Sequence, residues 1–423
     1  MNAARPPLKP LDTALSELLD FARALTEVEQ VSTFDADTRV LAHDVVSPLQ
    51  VPPQDNSAMD GYAVRCADVV HAGAMLPVSQ RIAAGASGSA LMGATAARIF
   101  TGAPIPAGVD AVVMQEDCEA VGALGVAGAP DGQPRQAPLV RINTVPRLGQ
   151  NIRRAGEDVT LGSVVLPRGT RLTPAALGLA ASVGRPELTV VRRPRVALFS
   201  TGDELVMPGD VAPQDMKPGA IFNSNRFFQR ALLVRLGCTV TDLGIVPDQR
   251  AATIAALREA SLAHDLVLTC GGVSVGEEDH IRPAVLALGE LDMWQIAIKP
   301  GKPFAYGRVG QAHFIGLPGN PVSSLVTFML LVRPFLLRLQ GVQDVAPRAV
   351  AARADFAWPR PDRRREFLRV RHNPSGGLDL FPNQSSGVLT SAVWADGLVD
   401  NPPGTSIAPG DMVQFLAFDS LVS

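Results

Sequence analysis

The stretch TCGGVSVGEEDH, from Thr269 to His280, holds two features that work against each other. Gly271, Gly272, Ser274 and Gly276 follow the apolar run Leu266–Leu268, and a glycine turn leaving a buried strand offers backbone N–H groups to an anion. Glu277, Glu278 and Asp279 follow at once, and they repel one. The glycine spacing is that of a phosphate loop, but acids stand where lysine and serine or threonine belong, which argues against a nucleotide triphosphatase. No GxGxxG occurs, so a nicotinamide site has no support. Taken alone, the loop is equally a tight strand-to-helix turn.

Two further stretches favour an anion. IKPGKPF (298–304) sets Lys299 and Lys302 on a proline-bounded loop. In LPGNPVS (317–323), Pro318 and Gly319 precede Asn320, a good N-cap, and Pro321, a good first helical residue, with Ser323 in the first turn. Yet STGDEL (200–205) and VPD (246–248) add Glu204 and Asp248 to the acids. Two like charges about 5 Å apart cost roughly 3 kcal/mol at an effective dielectric near 20, so several carboxylates cannot hold a dianion directly. They can hold it through Mg2+, which uses one or two carboxylates, phosphate oxygens and water. The combined reading is a phosphoanhydride substrate, with glycines and lysines on its phosphates and acids on the metal.

The elements that must position these groups have a readable pattern. From Arg195 to Leu339, strands (196–200, 239–246, 266–269) alternate with helices (226–236, 251–263, 322–339), which predicts a parallel sheet with right-handed crossovers. Ligands sit beyond the carboxyl ends of such strands, so the three acid-bearing loops should open on one rim. Elsewhere, 11–25 and 173–183 have helical spacing, 51–143 reads as a β-rich domain, 123–138 as a low-complexity loop, and the chain after Pro347 as all-β.

Composition narrows the classes. A net charge of -3 with no basic run leaves no footprint for nucleic acid. The four cysteines are scattered and the six histidines isolated, so neither a disulfide framework nor a zinc site is expected. The N-terminal stretch lacks a signal-peptide apolar core, and the apolar run Val322 to Val332 is short of a membrane span, giving a cytoplasmic expectation.

Seven segments in order carry a family resemblance: PPQDNSAMDGYAVR (52–65), IFTGAPIPAGVDAVVMQED (99–117), GQNIRRAGED (149–158), STGDEL, GGVSVGEED, IKPGKP and GLPGNPVSS. The chain resembles the molybdopterin molybdenumtransferases, the bacterial counterpart of the gephyrin E domain. That resemblance implies insertion of molybdenum from molybdate into adenylylated molybdopterin with release of AMP and with Mg2+ as cofactor. It implies an α/β multidomain fold in four parts: a discontinuous linking and dimerisation domain (1–50 and 144–192), a β-rich inserted domain (51–143), a molybdopterin-binding α/β domain (193–341) and a C-terminal β-barrel-like domain (342–423).

It also assigns roles. Asp279, Asp248 and Glu204 become metal and pyrophosphate handlers, and Asp60 and Thr101 the contribution of the β-rich domain, delivered from the partner subunit of an elongated homodimer. Lys299, Lys302 and Ser323 become molybdate or phosphate contacts, joined less securely by Arg369 and Ser386. Gln295 stands where some relatives have lysine, and Asp158 matches without an assigned role. Without the resemblance, Asp60 and Thr101 read as caps of turns before Gly61 and Gly102. An adenylyltransferase and a gephyrin-like scaffold remain as alternatives, the extra domains opposing the first and the missing long linker the second. A separate adenylyltransferase and acceptor molybdoenzymes or chaperones are the partners that the resemblance admits.

Overall fold

The computed structural model describes residues 8–121, 138–271 and 280–422. Backbone contacts divide the chain into two units, one of Met1–His43, Arg168–Thr173 and Glu187–Ser423, the other of Asp44–Pro167 and Pro174–Pro186.

In the first unit, strand–helix alternation builds a six-stranded sheet in the order Thr239–Val246, Arg195–Thr201, Leu266–Cys270, Ala312–Leu317, Pro303–Val309, Gly289–Gln295. The first four strands run parallel, as the alternation predicts. The last two are antiparallel, so the sheet is mixed. The cause is local: only Gly310 and Gln311 separate Pro303–Val309 from Ala312–Leu317, and two residues close a hairpin but cannot make a crossover.

Alternate residues of the parallel strands feed two cores. Val196, Leu198, Leu266, Leu268 and Ile315 pack under the helices Asn225–Arg235 and Pro321–Leu339. Ala197, Phe199, Val267 and Phe314 pack under Arg250–Ala263 and Ile281–Leu288. Because both faces are covered, the inner strands Arg195–Thr201 and Leu266–Cys270 read as near-continuous apolar runs, whereas the edge strand Thr239–Val246 alternates. The stretch Pro321–Leu339 is 19 residues long and apolar enough to cross a membrane by composition, but 89% of it is buried within the protein, which makes it a core helix. It is interrupted by a π turn at Phe328–Val332, just ahead of Pro334, which has no N–H to return to the carbonyl one turn back.

The C-terminal part of this unit forms a second six-stranded sheet, ordered Ile298–Lys299, Arg365–His372, Gly397–Asn401, Met412–Ala417, Val350–Arg353, with Leu378–Leu380 added on Arg365–His372. The short helices Leu389–Trp394 and Phe418–Val422 are additions to the all-β expectation. Ile298–Lys299 comes from the α/β segment and pairs parallel with Arg365 and Glu366.

The second unit is built on a sheet ordered Ala111–Met114, Gly61–Val64, Ala96–Ile99, Ala74–Ile82, Leu139–Ile142, Cys118–Val121. Ala63, Ile82, Ala97, Ile99 and Val112 fill one core, and Val64, Ala96, Ala111 and Val113 belong to another, as the two-residue strand period requires.

Candidate functional site

The carboxyl ends of the four parallel strands are level, because Thr201 pairs with Val246, Ser200 with Cys270, and Cys270 with Leu317. A cavity of about 420 Å3 opens over them. Of the residues expected at the site, Glu204, Gly271, Pro318, Asn320, Pro321 and Ser323 line it. Gly271 has φ +93, and a Cβ there would lie 3.0 Å from the Thr201 carbonyl oxygen, so the turn that closes this floor requires glycine. Glu204 is exposed and also borders a second cavity of about 610 Å3 with Asp203, Asp215 and Lys217. Its carboxylate folds over Gly202, where a Cβ would meet a carboxylate oxygen at 2.6 Å. Asp248 follows the strand Thr239–Val246 by two residues. Gly272, Ser274, Gly276 and Asp279 lie outside the described residues.

The cavity wall contains groups that motif reasoning missed. The Asn225 amide donates to the Gly319 carbonyl at 2.6 Å and to Cys270 Sγ at 2.9 Å, and Gln229 Nε2 donates to Ser324 Oγ at 2.8 Å. Behind them, Ser200 Oγ, Asn223 Nδ2, Asn225 Oδ1, Gln229 Oε1 and Thr269 Oγ1 are buried with no hydrogen-bond partner among the described residues. Each such atom typically costs about 1–3 kcal/mol until a ligand or water meets it. Burial pushes the Cys270 thiol pKa up, which keeps it protonated, so it packs rather than attacks. The signal available in the sequence was NSN (223–225), three polar residues between the apolar Ile221–Phe222 and a core helix.

Neither expected lysine is among the residues lining the cavity, but they differ. Lys299 Nζ lies 3.2 Å from a Glu366 oxygen and 3.5 Å from Asp362, so its charge is already balanced. Glu366 is 1% exposed and also accepts from Trp358 Nε1 at 2.7 Å and the Asp362 N–H at 3.0 Å. Lys302 belongs to the same loop, and its neighbour Pro303 lines the cavity. Gly301 lets that loop lie on the core helix: at φ +113, a Cβ would stand 2.4 Å from Thr327 Oγ1.

Arg369 is 1% exposed. It donates to the Phe367 carbonyl at 3.0 Å, Ser391 Oγ at 3.2 Å and the Ser385 carbonyl at 3.4 Å, and burial pushes its pKa down to about 10. It braces the chain next to Ser386 rather than facing the cavity.

The Asn320 side chain makes no capping hydrogen bond, contrary to its N-cap expectation. Pro321 has no N–H, and the next donor, that of Val322, is taken by the Ser386 carbonyl at 2.9 Å. Ser386 therefore meets the helix end through its main chain.

In the β-rich unit, Asp60 and Thr101 come together. The Thr101 N–H and Oγ1 both donate to Asp60 Oδ1 at 2.8 Å, and those bonds, the backbone one first, hold the Asp60 pKa below the usual carboxylate range. Beside them, the Arg98 guanidinium lies 4.6 Å from the Phe100 ring centroid and 5.2 Å from that of Tyr62, and Arg81 lies 4.5 Å from Phe100.

Among the described residues, no three or more His, Cys, Asp or Glu side chains cluster as a metal site. The carboxylates in reach of this region among the described residues are Glu204, exposed on the cavity wall, and Asp248, two residues past a neighbouring strand end, and carboxylate oxygens are donors that suit Mg2+ completed by water and phosphate oxygens.

Comparison with known proteins agrees over nearly the whole chain. Residues 9–184 match the MoeA N-terminal region (domain I and II), 197–338 the "Probable molybdopterin binding domain" and 351–418 the MoeA C-terminal region (domain IV). The chain is 43% identical to the molybdopterin molybdenumtransferase of Haemophilus influenzae over 78% of each chain. It is 36% identical to molybdopterin molybdenumtransferase 2 of Mycobacterium tuberculosis over 95% of this chain and 96% of that one. The crystal structure of the molybdopterin biosynthesis MoeA protein from Pyrococcus horikoshii superposes with a TM-score of 0.72 at 31% identity, covering 97% of this chain and 99% of that one.

Proposed function

Because the chain belongs to the MoeA family of molybdopterin molybdenumtransferases, we propose that it inserts molybdenum from molybdate into adenylylated molybdopterin and releases AMP. The observation that carries this reading is the 420 Å3 cavity at the carboxyl rim of the parallel strands, walled by buried amides and hydroxyls with unmet hydrogen-bonding capacity. A pterin edge presents alternating donors and acceptors, and Asn223, Asn225 and Ser200 offer the complementary set. The rim glycines allow a phosphate chain to approach the backbone closely.

In the reaction, an oxygen of molybdate or water attacks the adenylate phosphorus. The P–O bond to the terminal phosphate of molybdopterin breaks, and that phosphate leaves with the bridging oxygen. Where molybdate attacked, water then cleaves the adenylyl-molybdate, so AMP is released on either route. The two dithiolene thiols bind molybdenum as thiolates while their protons leave with one molybdate oxygen as water. Glu204, Asp248 and Asp279 would hold Mg2+, which supplies charge neutralisation at the phosphoanhydride when bound. Lys302 and Ser323 orient the oxyanion. No Ser-His-Asp or Cys-His arrangement is invoked, and the buried, protonated Cys270 agrees with that. The active form we propose is a cytoplasmic homodimer with the four-part domain division given above.

The experiment is turnover of adenylylated molybdopterin with molybdate, followed as AMP release by chromatography. Molybdate-dependent AMP release, lost in Glu204→Gln, supports the reaction. Adenylylation of molybdopterin from ATP without molybdate overturns it in favour of an adenylyltransferase.

A further inference from the structure

Arg81 and Arg98 stand directly opposite each other on the parallel strands Ala74–Ile82 and Ala96–Ile99. Like charges in that position repel, and sheets ordinarily avoid them or interpose an acid. Here, among the described residues, no acid forms an ion pair with either. Arg98 donates to the Gly61 carbonyl at 2.9 Å and to Gln115 Oε1 at 2.6 Å, both neutral acceptors. Arg81 is exposed, and among the described residues its one recorded partner is the Phe100 ring.

Phe100 lies against both guanidiniums, and Tyr62, the cross-strand neighbour of Arg98 on the next strand, lies against the second. Aromatic faces and neutral acceptors thus contact two forked cations projecting from paired positions on neighbouring strands, and among the described residues no carboxylate forms an ion pair with either. The acids nearest this row are Asp60, whose Oδ1 takes both Thr101 donors and whose carboxylate is held down first by those bonds and also by the Arg98 charge, and Glu116 and Asp117, of which Glu116 accepts from Gln115 Nε2 at 3.3 Å. None of them is within ion-pair distance of Arg81 or Arg98.

We propose that Arg81 and Arg98 form an oxyanion-binding site on the β-rich unit, taking a tetrahedral dianion across the two forks: a phosphate group or molybdate. Such an anion removes the cross-strand repulsion and uses the guanidinium N–H donors left over from Gly61 and Gln115. The use of this site in turnover rests on the proposed reaction; binding by the free chain does not.

The test is isothermal calorimetry on the full-length chain with sodium molybdate alone and with inorganic phosphate alone, comparing wild type with Arg81→Gln, Arg98→Gln and Arg98→Lys. Other anion contacts are common to all, so the difference isolates this row. Each glutamine variant should weaken binding by about tenfold or remove one binding event per chain, and Arg98→Lys should recover part of it. Loss for phosphate alone assigns the site to the phosphate end of the substrate, loss for molybdate alone to the metalate, and either supports the proposal. Among the described residues Arg81 makes no hydrogen bond, so Arg81→Gln leaves the fold intact and decides the matter if Arg98 variants melt early. Unchanged affinity and stoichiometry for both anions in Arg81→Gln overturns it. Failure of the wild type to release AMP would sink the proposed reaction and leave this calorimetric result standing.

Discussion

His313 makes the α/β region sensitive to mild acid, in a way the structure allows to be sized. It lies on the strand Ala312–Leu317, is 8% exposed, and places Nδ1 2.9 Å from the Tyr306 hydroxyl and its ring edge-on to Phe335 at 5.0 Å. Burial first, and Arg308 second, push its pKa from 6.5 down to about 4, with Asp265 opposing weakly. The unfolded chain therefore binds a proton near pH 6.5 that the folded chain refuses until about pH 4. For a base with a depressed folded pKa, stability is whole above 6.5 and drains away as pH falls from 6.5 to 4. At 1.36 kcal/mol per unit the loss approaches about 3 kcal/mol, a large share of the ~5–15 kcal/mol typical of a domain. The assay is urea unfolding from pH 8 to pH 4.5, followed by tryptophan fluorescence in a Trp358→Phe, Trp394→Phe background that leaves Trp294, whose ring lies 6.2 Å from Tyr306, as the reporter. Carboxylates titrate over the same range, so the informative quantity is wild type minus His313→Gln at each pH. That difference should shift by about 2–3 kcal/mol between pH 7 and pH 4.5 in favour of the variant. Parallel curves would refute the reasoning.

Three further outcomes are expected. Gly301→Ala, strained at φ +113 and pressed on Thr327 Oγ1 at 2.4 Å, should cost about 1–3 kcal/mol of stability in denaturant titration and raise the KM for molybdate by displacing Lys302. Asp60→Asn keeps an oxygen for the Thr101 donors but removes the charge; a chemical role predicts about a tenfold or greater fall in kcat at unchanged Tm, whereas a mere turn cap leaves both alone. Mixing Asp60→Ala with Asp279→Ala subunits should restore up to about a quarter of wild-type AMP release if active sites are shared within a homodimer, and no recovery after demonstrated subunit exchange would exclude sharing.

The sheet and its rim were legible because their cause is local. Apolar strands at βαβ spacing can pair only in parallel under helices, and Thr201, Val246 and Cys270 duly end level. The antiparallel edge went unread because polar residues such as Asp292, Arg308 and His313 interrupt its strands and only the two-residue Gly310–Gln311 turn separates the last pair. Charges were harder. Lys299 reads from its proline-bounded loop as an anion contact, and only the pairing of its strand with Arg365 and Glu366 shows that buried Glu366 has claimed it. Asn320 is an N-cap by type, but Ser386, distant in the chain, supplies the acceptor that decides the helix end. Asn223, Asn225 and Gln229 belong to no motif; what marks each is one buried polar atom left without a partner among the described residues, which exists only once the fold does.

The strand Ile298–Lys299 has a consequence for the order in which the molecule is made. It is completed by Arg365 and Glu366, and the first free N–H of the core helix, at Val322, is completed by Ser386. Phe367, Leu398, Leu416 and Leu421 then enter the same core as the parallel sheet. A nascent chain that has just cleared Gly341 holds every strand of the mixed sheet, yet its lysine loop has no neighbouring strand and its helix start no acceptor. The rim is therefore the last region to set during synthesis. A truncated product would keep the motifs and lack the arrangement that gives them meaning.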